Sequence, residues 1–320
     1  MLTLKSLRIV IVFENGKSGF NGEHSCMDGT PTSRLNDWLL RSLKENKIDL
    51  GASSRGVSAL PPIKPLDFDV PSSVQSAIRS TLKAHGATMA KHELAVLQYD
   101  GYGSSLIKQF KLSPDSYTQL VMGLAYYKMT GAVAPTYESA QTRKYQLGRT
   151  EVIRSTTSEA LAFYKAMEST TASDVERLKA MQVAGAKHAK LAQEAADGRG
   201  VDRHLFGLKK LLKEGEAVPE LYQDPAFAKS ANWVLSTSQL TSEFFEGWGY
   251  GEVVDEGYGL AYSVNPKSLR FTITSMNERP VSVWEYRKYL EEACTEVREV
   301  MENGMRVQQA AEGAAPKAKL

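Results

Sequence analysis

The chain opens on an almost wholly apolar run, Leu7 to Phe13, followed at once by Glu14-Asn15-Gly16. A short apolar run meeting Asn-Gly predicts a buried strand entering a type I′ hairpin turn, because that turn needs positive φ at both central residues. The run is too short for a signal peptide, and a strand this early suggests a chain that begins inside a domain. Next, Thr30-Pro31 heads a segment in which Leu35, Trp38, Leu39 and Leu43 recur at helical spacing. This predicts a helix capped by Thr30, with Pro31 in its first turn. The stretch 51–71 holds Gly51, Ser53, Ser54, Pro61, Pro62, Pro65 and Pro71 and reads as a linker or boundary.

Beyond it the pattern predicts a helix over 73–92 and a strand over Leu94–Tyr99 (LAVLQY). Helical signals dominate 114–131, 157–167 and 173–197. The last of these is Ala-, Lys- and Glu-rich, which suits the edge of a domain. Strands are expected at 232–238, 259–263 and 270–275, and a closing helix at 283–305. Helices and strands alternate without a strict repeat, so the class is α/β or α+β.

Composition narrows this little. Of 320 residues, 42% are apolar and 24% charged, as in an ordinary globular protein, and a net charge of +2 gives no case for nucleic acid as partner. Cys26 and Cys294 are too few for a disulfide-built scaffold. No stretch approaches the ~20 apolar residues of a membrane span. The terminal Ala318-Lys319-Leu320 resembles the Ser-Lys-Leu peroxisomal address, although a plain basic tail reads the same.

Five histidines offer chemistry: His24, His85, His92, His188 and His204. His85 and His92 lie seven apart on the expected helix, which is no zinc spacing, and a solvated face explains them better. His24 stands in Gly22-Glu-His-Ser-Cys-Met-Asp-Gly29, between a strand and a helix. Flanking glycines leave room for a ligand, and Asp28 is near enough to orient the ring. From local pattern alone, a structural histidine in a turn is the commoner case. A Cys26–His24 nucleophile pair is a weaker rival. Ser236-Thr237-Ser238 ends an apolar strand with hydroxyls that could meet an oxyanion, though such runs mostly cap or turn. Gly101-Tyr-Gly103 and Gly247-Trp-Gly249-Tyr-Gly251 lack the rest of a dinucleotide fingerprint.

Taken together, several segments resemble the carnitine/choline acyltransferase family. They are Phe13 to His24 with Asp28-Gly-Thr-Pro31; Ser113-Pro-Asp-Ser-Tyr-Thr-Gln119; Leu124-Ala-Tyr-Tyr-Lys128; Pro135-Thr-Tyr-Glu-Ser139; Gly148-Arg-Thr-Glu-Val-Ile-Arg-Ser155; Asp202-Arg-His-Leu205; Leu235-Ser-Thr-Ser-Gln239; and Gly257-Tyr-Gly259. They run in family order over about 7–305, and the likeness is strongest to the fungal-type carnitine acetyltransferase branch.

The resemblance implies a coenzyme A-dependent acyltransferase fold, α/β and chloramphenicol acetyltransferase-like, with a mixed sheet flanked by helices. It implies reversible transfer of a short acyl group between coenzyme A and the carnitine hydroxyl, with no permanently bound cofactor, no metal and no acyl-enzyme. His24 would be the general base, Asp28 its support and Ser238 the oxyanion donor. Arg203, Tyr137, Ser139 and Thr150 would hold carnitine; the arginine with the threonine favours carnitine over choline. Lys108, Lys111, Ser113, Asp115 and Gln239 would meet coenzyme A. Trp248 would close the acyl pocket against long chains. The chain departs from the family at Ser104 and Ala189, where basic residues usually meet phosphates.

Family enzymes are longer, with a pair of similarly folded domains. The resemblance therefore divides this chain into 1–66, the end of a truncated first domain carrying His24; 67–307, most of a second domain; and 308–320, a tail with a peroxisomal signal for the import receptor. It also leads us to expect exposed apolar surface. A mitochondrial form is compatible with the family. The alternative reading is a remnant that binds coenzyme A or a partner without turnover.

Overall fold

The computed structural model describes residues 8–25, 27–51, 64–65, 67–277 and 282–314. The chain separates into two compact units, Met1–His92 and Glu93–Leu320. Cys26, most of the expected linker and the terminal tripeptide lie outside the described residues.

In the first unit, β1 (Arg8–Val12) pairs antiparallel with β2 (Ser18–Gly22). The turn differs from the expected type I′. Phe13 O accepts from Gly16 N at 2.9 Å, and Gly16 alone of the turn residues has positive φ, at 81°. A three-residue loop ending in a left-handed glycine results, so Asn15 is spared a strained conformation. The strand is also not buried: Val10 and Val12 are about 70% exposed, at 69% and 72%. Helix α1 (Gly29–Lys44) starts ahead of Thr30, with Asp28 rather than Thr30 at its N-cap. Its apolar stripe, Leu35, Trp38, Leu39 and Leu43, forms as predicted but is exposed. Helix α2 (Ser72–Met89) ends before His92, which instead opens β3 (His92–Tyr99) and bonds through Nδ1 to Thr88 O. His85 and His92 therefore share no helix face.

The second unit is built on a mixed six-stranded sheet in the order β3-β8-β7-β6-β4-β5. Its strands are β4 (Thr136–Gln141), β5 (Thr150–Arg154), β6 (Leu235–Gln239), β7 (Tyr258–Val264) and β8 (Leu269–Met276). The pairs β4–β6 and β6–β7 are parallel; β4–β5 and β7–β8 are antiparallel. This is the α/β class with a mixed, helix-flanked sheet expected from the sequence.

The helices begin where their caps dictate. In α4 (Pro114–Thr130) Ser113 Oγ accepts from Ser116 N, Pro114 occupies the first turn, and left-handed Gly131 closes the end. Thr157 caps α5 (Ser158–Glu168), and Ser173 with Glu176 forms a capping box on α6 (Asp174–Ala196). Short α3 (Ser104–Ile107) precedes α4. The long α10 (Val283–Ala314) packs on α4 and α6. Helix α6 is no edge element. Leu178, Met181, Ala184, Gly185 and His188 form a buried stripe along it, which packs against α4, α5 and α10. Tyr117, Leu120, Leu124, Phe163, Tyr258, Phe271 and Tyr286 fill the core beneath.

Three short helices, α7 (Asp202–Lys210), α8 (Glu220–Gln223) and α9 (Pro225–Ser230), lead into β6. Because α9 runs to Ser230, β6 starts at Leu235, three residues later than the apolar pattern suggests. No helix among the described residues is long and apolar enough to cross a membrane.

Candidate active site

Strand periodicity sorts the residues of β4, β5 and β6 onto two faces. Tyr137 lies opposite Arg154 and beside Ser236, and Ser139 lies opposite Val152. One face thus carries Tyr137, Ser139, Thr150, Arg154, Ser236 and Ser238; the other carries Glu138 and Thr237.

On the first face, Arg203 in the opening turn of α7 reaches across the end of the sheet. Its Nη2 donates to Tyr137 Oη at 3.2 Å and Thr150 Oγ1 at 3.1 Å, and its Nε donates to Thr150 O at 3.1 Å. The guanidinium is exposed, and Nη1 makes no hydrogen bond among the described residues. Arg203 N donates to both oxygens of buried Glu151 at 3.3 Å, which supplies the helix start that Val201 cannot cap. Ser139 Oγ and Ser238 Oγ are 3.4 Å apart. The structure therefore gathers all four expected carnitine-binding residues, with Ser238 beside them. A depression of about 460 Å³ lined by Thr142, Tyr145, Thr150, Glu151, Gly198, Gly200, Arg203 and His204 opens next to the arginine.

Trp248 donates through Nε1 to Tyr262 O at 3.3 Å and leans on Tyr250 with ring centres 5.5 Å apart. Tyr250 Oη in turn donates to Ser236 O and Leu260 O. This covering segment needs Gly259 beneath it, since a Cβ there would meet Gly251 O at 2.7 Å and Tyr250 O at 2.8 Å.

The expected coenzyme A residues are more scattered. Ser113 and Lys111 line a smaller cleft, about 250 Å³, with Gly185, Ala186 and Ala189 of α6. Lys111 takes a left-handed backbone, φ 60°, after the turn Lys108–Phe110. Lys108 is exposed, and Gln239 bonds to Thr241 Oγ1 at 3.4 Å.

Asp115 belongs to a buried polar cluster on the second face, which the sequence did not announce. Tyr262 Oη donates to Asp115 Oδ1 at 2.6 Å and accepts from Gln119 Nε2 at 2.9 Å. Gln119 Nε2 also donates to Thr237 Oγ1, which donates to Tyr137 O. His188 Nε2 meets Glu138 Oε2 at 2.6 Å, and its Nδ1 meets Ser116 Oγ at 2.8 Å. Ser155 Oγ donates to Glu138 Oε2 at 2.7 Å. Burial, with the charge of Glu138 close by, pushes Asp115 up to about 7. Burial opposes protonation of His188, but the hydrogen bond and charge of Glu138, helped by Asp115, raise it. Asp115, Glu138 and His188 could surround an ion, but the contacts His188–Glu138 and Tyr262–Asp115 already satisfy them. Only the proximity of Glu138 to Tyr137 and Ser139 could have hinted at this cluster.

In the first unit His24 is exposed, and its Nδ1 donates to Met27 O at 2.9 Å. A carbonyl can only accept, so Nδ1 carries a proton in this contact. Asp28 Oδ1 stands 4.0 Å from Nδ1, beyond hydrogen-bond reach, so the carbonyl of Met27 orients the ring in its place. Cys294 is fully buried and its thiol is pushed up by burial, which leaves it inert.

An exposed guanidinium flanked by the hydroxyls of Tyr137 and Thr150 can meet an anionic group, and comparison with known proteins gives the class of the chain. The family model for Choline/Carnitine o-acyltransferase matches residues 5–292, and the chain belongs to that family. It is 39% identical to the mitochondrial carnitine O-acetyltransferase of Saccharomyces cerevisiae, over 93% of this chain and 45% of that one. It is 32% identical to the carnitine O-acetyltransferase of Columba livia, over 93% and 47%. It is 34% identical to the choline O-acetyltransferase of Sus scrofa, over 92% and 46%. The chain spans about half the length of these relatives.

Proposed function

We propose that the chain carries catalytic machinery for acetyl transfer between coenzyme A and carnitine. Identity alone does not choose the acceptor, since the choline enzyme, at 34%, falls between the two carnitine enzymes, at 39% and 32%. The observation that carries the choice is the Arg203 cluster. Choline has no carboxylate, whereas carnitine offers one to Nη1 and to the hydroxyls of Tyr137, Thr150 and Ser139.

In this reading His24 Nε2 takes the proton from the carnitine hydroxyl as that oxygen attacks the thioester carbonyl. Ser238 Oγ donates to the oxyanion of the tetrahedral intermediate. The carbon–sulfur bond then breaks, and the imidazolium returns its proton to the departing thiolate. Proton and acyl group both balance without an acyl-enzyme, so neither cysteine is needed. Asp28 Oδ1, 4.0 Å from Nδ1, stands beside the ring as its support. Ser113, Lys108, Lys111, Asp115 and Gln239 serve coenzyme A, and the ring of Trp248 limits acyl length.

The test follows free thiol from acetyl-CoA with L-carnitine or choline as acceptor. Carnitine-dependent release that His24→Ala abolishes supports the reading. Equal release with choline would overturn the role of Arg203. Coenzyme A binding with no release under either acceptor would favour a remnant that binds without turnover. For the tail, a fluorescent protein fused ahead of residues 309–320 should reach peroxisomes; diffuse signal would refute that address.

A further inference from the structure

Arg154 touches none of the groups assigned to substrate, yet it is tied to two of them. It faces the same side of the sheet as Thr150 and lies directly across the β4–β5 ladder from Tyr137. Its Nε donates to Asp202 Oδ2 at 3.0 Å and its Nη2 to Asp202 Oδ1 at 2.6 Å. This is a bidentate pair, which fixes angle as well as distance. Its Nη1 donates to Ser230 O at 2.9 Å, at the end of α9. The guanidinium carbon lies 4.9 Å from the ring centre of Trp233. Trp233 meets the Tyr137 ring edge-on, with centres 5.6 Å apart and planes at 68°.

These contacts close a circuit. Arg154 grips Asp202; Asp202 is bonded through the chain to Arg203; Arg203 Nη2 donates to Tyr137 Oη; Tyr137 packs on Trp233; Trp233 lies under Arg154. We propose that Arg154 is a positioning residue that sets Arg203 and Tyr137 as one unit for a carboxylate-bearing acceptor. The assignment rests on the carnitine reading above for its ligand, but its geometry stands apart from it. Arginine is needed here because three directions are used at once: a fork to Asp202, a donor to Ser230 and a flat face to Trp233. A lysine keeps the charge and loses the fork and the plane.

The experiment uses two variants of the full chain, Arg154→Lys and Asp202→Asn. Hydrogen exchange is read at amides 203–206 and, as a reference, across 258–264 in β7. Steady-state constants are taken for L-carnitine and acetyl-CoA. We expect exchange at 203–206 to rise about tenfold in both variants, with β7 unchanged. We expect the carnitine KM to rise about tenfold while the acetyl-CoA KM stays within about twofold. Unchanged exchange at 203–206 would overturn the assignment whatever the kinetics. So would equal acceleration in β7, which marks general loosening, or an unchanged carnitine KM in an active protein. If the unmodified chain turns over no carnitine, the functional reading falls, and the exchange data alone decide whether the strut exists.

Discussion

The two faces of strands β4 and β6 solve opposite problems with alternating residues of the same short segments. Tyr137 and Ser139 look onto one face, where they are half-buried and pair loosely with Arg203 and Ser238. Glu138, between them, looks into the interior and is only 4% exposed, held by His188 and Ser155. On β6, Ser238 and Thr237 divide in the same way. A recognition surface must keep its donors available, so it cannot satisfy them internally. A buried charge must be satisfied or it costs several kcal/mol. Substitutions on the two faces should therefore report in different measurements.

The largest effect belongs to the buried face. Glu138→Ala leaves His188 uncompensated and should cost about 3–5 kcal/mol of stability, read by denaturant unfolding. A loss under about 1 kcal/mol would mean that the cluster holds little charge. On the other face, Ser238→Ala should leave unfolding unchanged while kcat falls about 10²–10³-fold. Arg203→Ala should raise the carnitine KM by about 10–100-fold, in line with a lost charge-assisted contact, and spare that for acetyl-CoA.

The smallest effect is a pH dependence. Asp115 and His188 are both raised in the folded state, so the native protein binds more protons than the unfolded chain up to about pH 7. That stabilisation is present at the acid end of the window and is lost as pH rises through about 7. Tm should therefore decline from pH 5.5 to pH 8, and Asp115→Asn should flatten the decline. A rise in Tm over this range in the unmodified protein would break the account.

Much of the fold was legible. The 3.6-residue pattern and the Ser, Thr and Pro signals placed α4, α5, α6 and α10 to within a few residues at most boundaries, and apolar runs placed β7 and β8. Strands β4 and β5 were not legible. TYESAQ and TEVIR are short, and each carries a buried glutamate where a strand pattern expects an apolar residue. His188 hid for a related reason: its helix is rich in Ala, Lys and Glu, and only Leu178 and Met181 mark its buried stripe as apolar. Of the site, the resemblance named Tyr137, Ser139, Thr150, Arg203 and Ser238, which the structure brings together. Asp202, Arg154 and Trp233 escaped, because only tertiary contact distinguishes a strut from an ordinary surface pair.

The sheet order has a further consequence. Strand β6 enters between β4 and β7, and the Ser139–Ser238 contact joins residues 99 positions apart. Local elements such as α4, α5 and α6 can form from nearby sequence, but this parallel pairing must wait for closure of a long loop. In refolding, the sheet beneath Arg203 and Ser238 should thus assemble late, after most helical signal has returned.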